Sequence, residues 1–169
     1  MADGADLNAT LFKFFTREIQ LDYNLSQLTK TRQISVLDGI VMGGGVGLIW
    51  HSPVRIATEN SVYAMPETAI GFFTDVGSSY FLSRVNNDIS LGLFLGMTGH
   101  RLTGKDLVKW GVATHFVPKA KLPALYDKLR RYVMAQHNDY QIDCMVEVYS
   151  DPSAGDEAIA DLDEIRSIF

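Results

Sequence analysis

Residues 38–48 read DGIVMGGGVGL, and this stretch decides the fold class because it joins a β-prone run to a glycine run and a helix. The preceding residues 34–37 predict a short buried strand, which Asp38 and Gly39 break. Glycines let a substrate approach the backbone closely, and the free N–H groups at a helix start favour negative charge. The pattern indicates either a site for an anion or a developing oxyanion, or tight strand–helix packing without a ligand.

Two familiar glycine-rich motifs do not fit this run. No Gly-Lys-Ser/Thr follows it, as a phosphate-binding P-loop requires. It also does not match the G-x-G-x-x-G pattern with a suitable acid about twenty residues later, so a dinucleotide site is not favoured.

Short strands alternate with helices on both sides of the glycine run, which predicts the α/β class. Apolar residues at three- and four-residue steps predict a first helix over residues 8–30, whose apolar face is Leu11, Phe14, Phe15, Ile19, Leu25 and Leu28. Further strands are predicted at 54–57, 62–64 and 114–117, and helices at 77–84, 90–97, 123–135 and from 155 to the end. No repeat or linker interrupts the pattern, so we interpret residues 1–169 as a single domain, with C-terminal helices over 120–169.

Two carboxylates stand in a mostly apolar loop, AMPETAIGFFTD over residues 64–75. Glu67 and Asp75 have apolar neighbours, which disfavour the charged form of a carboxyl group and suit it to acid–base work near neutral pH. The alternative is that both are loop carboxylates that cap the next helix or face solvent. His51 and His115 lie in apolar segments and are interpreted as structural, and no cluster shows the spacing of metal ligands.

Composition excludes several classes of partner. The net charge is −5 and Lys and Arg form no block, so nucleic acid is not expected as a direct ligand. The single cysteine, Cys144, cannot form an internal disulfide, which favours a reducing compartment. No apolar run approaches the roughly 18 residues of a membrane span. The first residues, MADGAD, carry acids and no base, unlike a secretory or mitochondrial presequence.

Several of these motifs, in this order, resemble the crotonase (enoyl-CoA hydratase/isomerase) superfamily. DGIVMGGGVGL resembles its oxyanion-hole segment and AMPETAIG its catalytic loop. TGHRL at 98–102 and WGVATHFV at 110–117 resemble the helix and strand that follow. The match runs over about 14–117, and it implies the crotonase-like fold, a spiral of β-β-α units.

The resemblance is strongest to the 3-hydroxyisobutyryl-CoA hydrolases of valine catabolism. Enoyl-CoA hydratases carry a second catalytic glutamate three residues after the middle glycine of the run, where this chain has Gly47. The hydrolases have glycine there and an aspartate eight residues after the loop glutamate, which is Asp75 in this chain. The resemblance therefore implies hydrolysis of a CoA thioester, with no metal or cofactor beyond the CoA of the substrate.

The resemblance also assigns roles to residues. The backbone N–H of Gly44, beside Gly43, would bind the thioester oxygen, and Glu67 would act as nucleophile or as base toward water. Asp75 would orient the substrate hydroxyl or the attacking water. With a shift of one residue, Glu18 falls near a glutamate that contacts substrate, and Ala2 would supply the second oxyanion N–H.

The sequence departs from the family pattern in the loop and at both ends. The family usually reads FPDVGGG where residues 73–79 read FTDVGSS, and the lost proline is expected to loosen the loop around Asp75. The strands before residue 4 and the helical C-terminal region of the family have no counterpart, so we expect a fold truncated at both ends. Exposed sheet edges and helix faces are then expected, and a partner chain is a candidate for covering them. The family implies a mitochondrial location.

Two alternatives stay open beside the hydrolase. One is a non-catalytic subunit derived from the superfamily, for example in the small subunit of the mitochondrial ribosome; an intact Glu67 and Asp75 count against it. The other is a different reaction of the superfamily: Gly47 counts against a hydratase, whereas isomerases vary the positions of their acids.

Overall fold

The computed structural model describes residues 4–133 and 139–169. Its α-helices are α1 (Gly4–Ser26), α2 (Gly44–Trp50), α3 (Ser78–Leu82), α4 (Ile89–Thr98), α5 (Asp106–Lys109), α6 (Leu122–Val133), α7 (Asp139–Tyr149) and α8 (Leu162–Ile168). Its strands are β1 (Ile34–Leu37), β2 (Ile40–Met42), β3 (Val54–Ala57), β4 (Val62–Ala64), β5 (Leu102–Thr103) and β6 (His115–Phe116).

The strands form two small sheets, and the chain passes repeatedly from one sheet to the other. The first sheet has the order β1-β3-β6 and is parallel throughout. In the second, of order β2-β4-β5, β2 and β4 are parallel and β5 is antiparallel to β4. The chain runs β1, β2, α2 and then β3, β4 and helices, so one β-β-α unit is stacked on the next, as the resemblance to the crotonase superfamily implied.

Hydrogen bonds join the turn after β1 to the turn after β3 and hold the two units together. Each unit changes sheets at a tight corner, after β1 and again after β3. An Asp38 carboxylate oxygen accepts hydrogen bonds of 2.9 Å from the Thr58 hydroxyl and from the Asn60 side-chain amide. The Val62 N–H donates to the Gly39 carbonyl at 2.9 Å. The polar break at residues 38 and 39 thus ends one strand and also holds the next unit in register.

Apolar side chains form two clusters on the sheets. The larger packs α2, α3, α4 and α5 on the strands, with Leu37, Tyr63, Met65, Phe81, Leu91, Leu95 and Leu107 among its most buried members. The smaller lies under α6 and α7 and contains Val54, Ile56, Val117, Leu122, Leu125 and Val146. The loop with Glu67 and the glycine run therefore rest on a packed base.

The first helix corrects one expectation. It forms, over Gly4–Ser26 rather than 8–30, but its predicted apolar face is not buried: Leu11, Phe14, Phe15, Ile19 and Leu28 are exposed. Among residues 6–26, Asp22 alone is buried. The exposure of this face agrees with the expectation of exposed helix faces, and α1 packs on α2 through its acidic residues Glu18 and Asp22 instead.

Most other elements agree with the predictions. The strands predicted at 34–37, 54–57 and 62–64 have the observed bounds, and 114–117 contains β6. Thr98 ends α4 close to the predicted position, whereas the last helix begins at Leu162 rather than 155. Strand β2 was not predicted, whereas helix α7 lies within the C-terminal helices expected over 120–169, although its bounds were not predicted. The single-domain organisation stays a prediction. No helix within the described ranges is long and apolar enough to cross a membrane.

Candidate active site

The glycine run lies where strand β2 turns into helix α2. Gly43 has φ +52°, a left-handed conformation that favours glycine, and α2 begins at Gly44. A Cβ placed on Gly43 would lie 2.7 Å from Oε1 of Glu67. Since Gly44 opens the helix, its N–H has no acceptor within α2. The backbone N–H of Gly44 and the carboxylate of Glu67 therefore lie next to each other at the start of α2.

Glu67 begins the 3-10 helix Glu67–Ile70 that follows β4. Its side chain is only 7% exposed, and Oε2 has no hydrogen-bond partner within the described residues. Burial raises the pKa of Glu67, and the negative charge of Asp75 raises it further. A carboxyl group of this kind can exchange a proton closer to neutral pH than an exposed glutamate can.

Asp75 is half-buried at the end of the same loop. The next residue, Val76, has φ +47° and is followed by Gly77 at φ +78°. A β-branched residue in the left-handed region is strained, and such strain often accompanies functional loops. The turn places Val76 in the core, 5% exposed, and Asp75 toward the other carboxylates, whose pKa values it raises.

Glu18 reaches the site from α1. A Cβ on Gly44 would lie 2.6 Å from Oε1 of Glu18, so this carboxylate borders the start of α2. Burial raises the pKa of Glu18, and Asp75 adds to the shift. Beside Gly44 and Glu18 lies a cavity of about 620 Å³, with Lys13 and Arg17 on its wall.

Asp22 is a site residue that the sequence analysis missed. It follows Glu18 by one helical turn, is 6% exposed, and neither carboxylate oxygen has a hydrogen-bond partner in the described part of the chain. Oδ2 would lie 2.6 Å from a Cβ on Gly47. Burial, with smaller effects of Glu18 and Asp75, raises the pKa of Asp22 from its usual 3.8 to about 6. Its spacing of four residues from Glu18 was the available signal.

Tyr63 adds an unpaired polar group to those of Glu67 and Asp22. Its side chain is fully buried, and its hydroxyl has no hydrogen-bond partner among the residues described. Burial raises the pKa of Tyr63, and the charge of Glu67 raises it further, so the phenol stays protonated.

In the part of the chain that the structure describes, neither His51 nor His115 forms a hydrogen bond or an ion pair with these carboxylates. The His115 ring contacts the Thr114 hydroxyl at 2.8 Å, away from the glycine run. His51 lies behind Asp22, and burial lowers its pKa. Within residues 4–133 and 139–169, no group of three His, Cys, Asp or Glu side chains could hold a metal ion.

Of the residues expected at the site, Gly43, Gly44, Glu67, Asp75 and Glu18 come together. Ala2 lies outside the described residues. The arrangement combines a free backbone N–H with buried carboxyl groups, which can polarise a carbonyl group and supply a nucleophile or base to it.

Curated proteins of similar sequence include several 3-hydroxyisobutyryl-CoA hydrolases. The chain is 51% identical over 118 residues to 3-hydroxyisobutyryl-CoA hydrolase 1 of Arabidopsis thaliana, which covers 70% of this chain and 30% of that protein. It is 48% identical over 126 residues to the mitochondrial 3-hydroxyisobutyryl-CoA hydrolase of Gallus gallus, covering 74% and 32%. The chain thus spans about a third of the length of these curated relatives.

Solved structures share the fold. A carnitinyl-CoA dehydratase from Mycobacterium thermoresistibile superposes with a TM-score of 0.70 at 34% identity, covering 98% of this chain and 43% of that one. An enoyl-CoA hydratase from Rhodobacter sphaeroides gives 0.62 at 30% identity, covering 81% and 46%. The family model described as enoyl-CoA hydratase/isomerase matches residues 2–169. With its crotonase-type spiral and its glycine run facing buried carboxylates, the chain belongs to the enoyl-CoA hydratase/isomerase family.

Proposed function

We propose that the chain carries the active site of a CoA-thioester hydrolase, which converts 3-hydroxyisobutyryl-CoA and water to 3-hydroxyisobutyrate and CoA. The observation that carries this proposal is the contact of Glu67 with Gly43, beside the free N–H of Gly44. A thioester carbonyl held by that N–H would have its carbon next to a buried carboxyl group.

The reaction needs no group beyond these residues, the substrate and water. As the carbonyl carbon is attacked, its oxygen becomes negative and the Gly44 N–H stabilises that charge. The C–S bond then breaks, and the CoA thiolate takes a proton. Glu67 either attacks the carbon itself, forming an anhydride that water opens, or removes a proton from the attacking water.

The position of Gly47 favours hydrolysis over hydration. Residue 47 offers no carboxyl group, and the space for its side chain is closed by Asp22 and by the Val76 Cβ, 2.8 Å from a Cβ on Gly47. A glutamate would not fit there without displacing both. The relatives named as hydrolases support the same substrate, and the mitochondrial label of the Gallus gallus relative supports a mitochondrial location.

The test is release of CoA from 3-hydroxyisobutyryl-CoA by the purified chain. Glu67→Gln should abolish turnover, whereas Glu147→Gln, an exposed glutamate on α7, should leave it unchanged. Cys144 is an exposed free thiol, so thiol reagents need a Cys144→Ser background or the loss of thioester absorbance must be followed instead. A folded chain without turnover, or with equal turnover in Glu67→Gln, would contradict the proposal.

The two roles of Glu67 differ in isotope transfer. In a single turnover in ¹⁸O-water, a general base gives product that carries ¹⁸O at once. A nucleophilic Glu67 whose anhydride opens at the enzyme carbonyl places ¹⁸O in the Glu67 carboxylate, and the first product contains only ¹⁶O. Mass spectrometry of the product and of the peptide with Glu67 detects this transfer: ¹⁸O in Glu67 assigns the nucleophilic role, whereas an anhydride that opens at the acyl carbonyl labels the product as a general base does.

No observation favours the non-catalytic alternative of a ribosomal subunit. A scaffold has no chemical need for an unpaired, buried carboxyl group, because burying one costs stability. Glu67 and Asp22 both have this character here.

A further inference from the structure

Asp22 is the most unusual polar group in the described chain, and the reaction outlined above gives it no role. Asp22 is 6% exposed, and both of its carboxylate oxygens are unpaired within the described residues. A buried carboxyl group without partners destabilises the fold, so a missing ligand is a physical reason for it to be there.

The contacts of Gly44 and Gly47 show where Asp22 lies relative to Glu18. Residues 44 and 47 are neighbours on one face of α2, with Glu18 against the first and Asp22 against the second. One turn of helix separates them, about 5 Å.

A carbonyl oxygen that accepts from the Gly44 N–H lies beyond the start of α2. Asp75, whose charge raises the pKa values of both Glu67 and Asp22, lies near both of these carboxyl groups. A short acyl chain that begins beside Glu67 can extend from there towards Asp22.

A small cavity of about 210 Å³ opens at this end. Ile19 and Val76 give it apolar walls, and Asp22, Ser26 and His51 give it polar ones. Its size suits a few carbon atoms rather than a long acyl chain. The hydroxyl oxygen of a 3-hydroxyacyl group lies roughly 4 Å from the carbonyl carbon, given bonds of about 1.5 Å, so only a side chain close to the reacting carbon can bind it.

We propose that Asp22 is a specificity-determining residue whose carboxyl group binds the hydroxyl of a short, branched 3-hydroxyacyl thioester, while Ile19 and Val76 contact its carbon branches. Of the two roles expected for Asp75, this leaves it the orientation of the attacking water. This inference rests on the proposed function and names the residue that recognises its substrate class. A hydroxyl can donate to one Asp22 oxygen and accept from the group when it is protonated. An acyl chain without the hydroxyl leaves the carboxyl group buried and unpaired, which penalises its binding.

The test compares 3-hydroxyisobutyryl-CoA with isobutyryl-CoA, which lacks only the hydroxyl, by kcat/KM on the purified chain. The unchanged chain should prefer the hydroxylated substrate. Asp22→Leu should reduce that preference by about 10- to 100-fold, the effect of one hydrogen bond to a charged group. Asp22→Asn keeps the shape and the hydrogen-bonding capacity, so it should retain most of the preference.

Two results would overturn the inference. One is an unchanged substrate ratio in an Asp22→Leu chain whose circular dichroism matches that of the parent. The other is an equal loss of rate on both substrates, which would assign Asp22 to the common chemistry, for example to the attacking water.

A binding experiment separates this inference from the proposed hydrolysis. If the unchanged chain cleaves neither thioester, the hydrolase proposal fails, but Asp22 is still tested by the Kd values of both intact thioesters. Tighter binding of the hydroxylated one, lost in Asp22→Leu and kept in Asp22→Asn, supports the inference. Equal Kd values, or binding of neither, overturn it.

Discussion

At the scale of single residues, the site depends on where side chains are absent. Gly44 leaves room for Glu18, and a methyl group there would lie 2.6 Å from its carboxylate oxygen. Gly44→Ala should therefore displace Glu18 and crowd the backbone N–H, and we expect thioester hydrolysis to fall at least about 10-fold, the effect of a weakened oxyanion contact. The fold should tolerate the change, since alanine favours helix over glycine by up to about 1 kcal/mol.

The next glycine provides the matched control. A Cβ on Gly45 would meet its nearest neighbour, the Val41 Cγ1, at an ordinary 3.9 Å. Gly45→Ala adds the same methyl group to the same helix and should keep both hydrolysis and stability. Steady-state kinetics and urea unfolding measure the two effects, and equal losses in both variants would contradict the role assigned to the space at residue 44.

Asp22 should make the stability of the fold depend on pH. Its pKa is about 6 in the folded chain and 3.8 for the free group, so the folded state binds more protons between these values. The free energy of unfolding should then fall as pH rises from about 4 to about 6 and stay lower above. Asp22→Asn removes this loss and should stabilise the chain at pH 7.5 by about 1–3 kcal/mol, but much less at pH 4.5.

Asp38→Asn is the control of opposite sign. Hydrogen bonds from Lys119, Thr58 and Asn60 lower the pKa of Asp38, so its contribution to stability persists above its unfolded pKa. Urea unfolding should show Asp38→Asn to be less stable than the parent by the same amount at pH 4.5 and 7.5. An Asp22→Asn difference that does not change between these pH values would contradict the buried, unpaired state of Asp22.

At the scale of elements, α1 is the least anchored part of the site. It has 23 residues, about 34 Å of helix, yet within 6–26 only Asp22 is buried. Helices of this kind open locally at low free energy, because few apolar contacts hold them. Amide hydrogen exchange should therefore be faster in α1 than in β1 and β3, and a bound CoA thioester should slow it in α1 around Glu18. Protection in α1 equal to that of the strands would contradict this.

The same element shows what could be predicted from the sequence. Strands β1, β3 and β4 have the predicted bounds because burial of a short β-prone run is a local property. The contacts of Gly43 and Gly44 with Glu67 and Glu18 agree with the expected grouping. The burial of Asp22 could not be predicted, because it depends on which face of α1 packs on α2, and the stronger apolar stripe pointed the other way. Strand β2 was not predicted because its three apolar residues run directly into the glycines and show no pattern of their own.

At the scale of the whole molecule, the surface is larger than that of a compact monomer. The accessible surface is 10325 Å², whereas a compact protein of this 18.8 kDa mass has about 8,300 Å². Part of the excess is aromatic: the rings of Phe14 and Phe15, Phe15 and Phe72, and Phe72 and Phe73 follow one another at 5.4, 6.4 and 4.5 Å. These rings form a continuous apolar row from α1 to the loop of Glu67, and exposed rows of this kind mark surfaces that associate.

We therefore expect the isolated chain to self-associate. In sedimentation velocity its weight-average mass should rise above 18.8 kDa with increasing concentration. Phe73→Ser, in the row, together with Phe12→Ser, one helical turn before Phe15, should lower that mass. These side chains are 68% and 76% exposed, and their loss removes apolar area from the contact. Tyr126→Ser, at a side chain 45% exposed on α6, should leave the mass unchanged. A weight-average mass that stays at that of a single chain over the whole concentration range would mean that the apolar row does not drive association. Equal effects of all these substitutions would place the contact elsewhere.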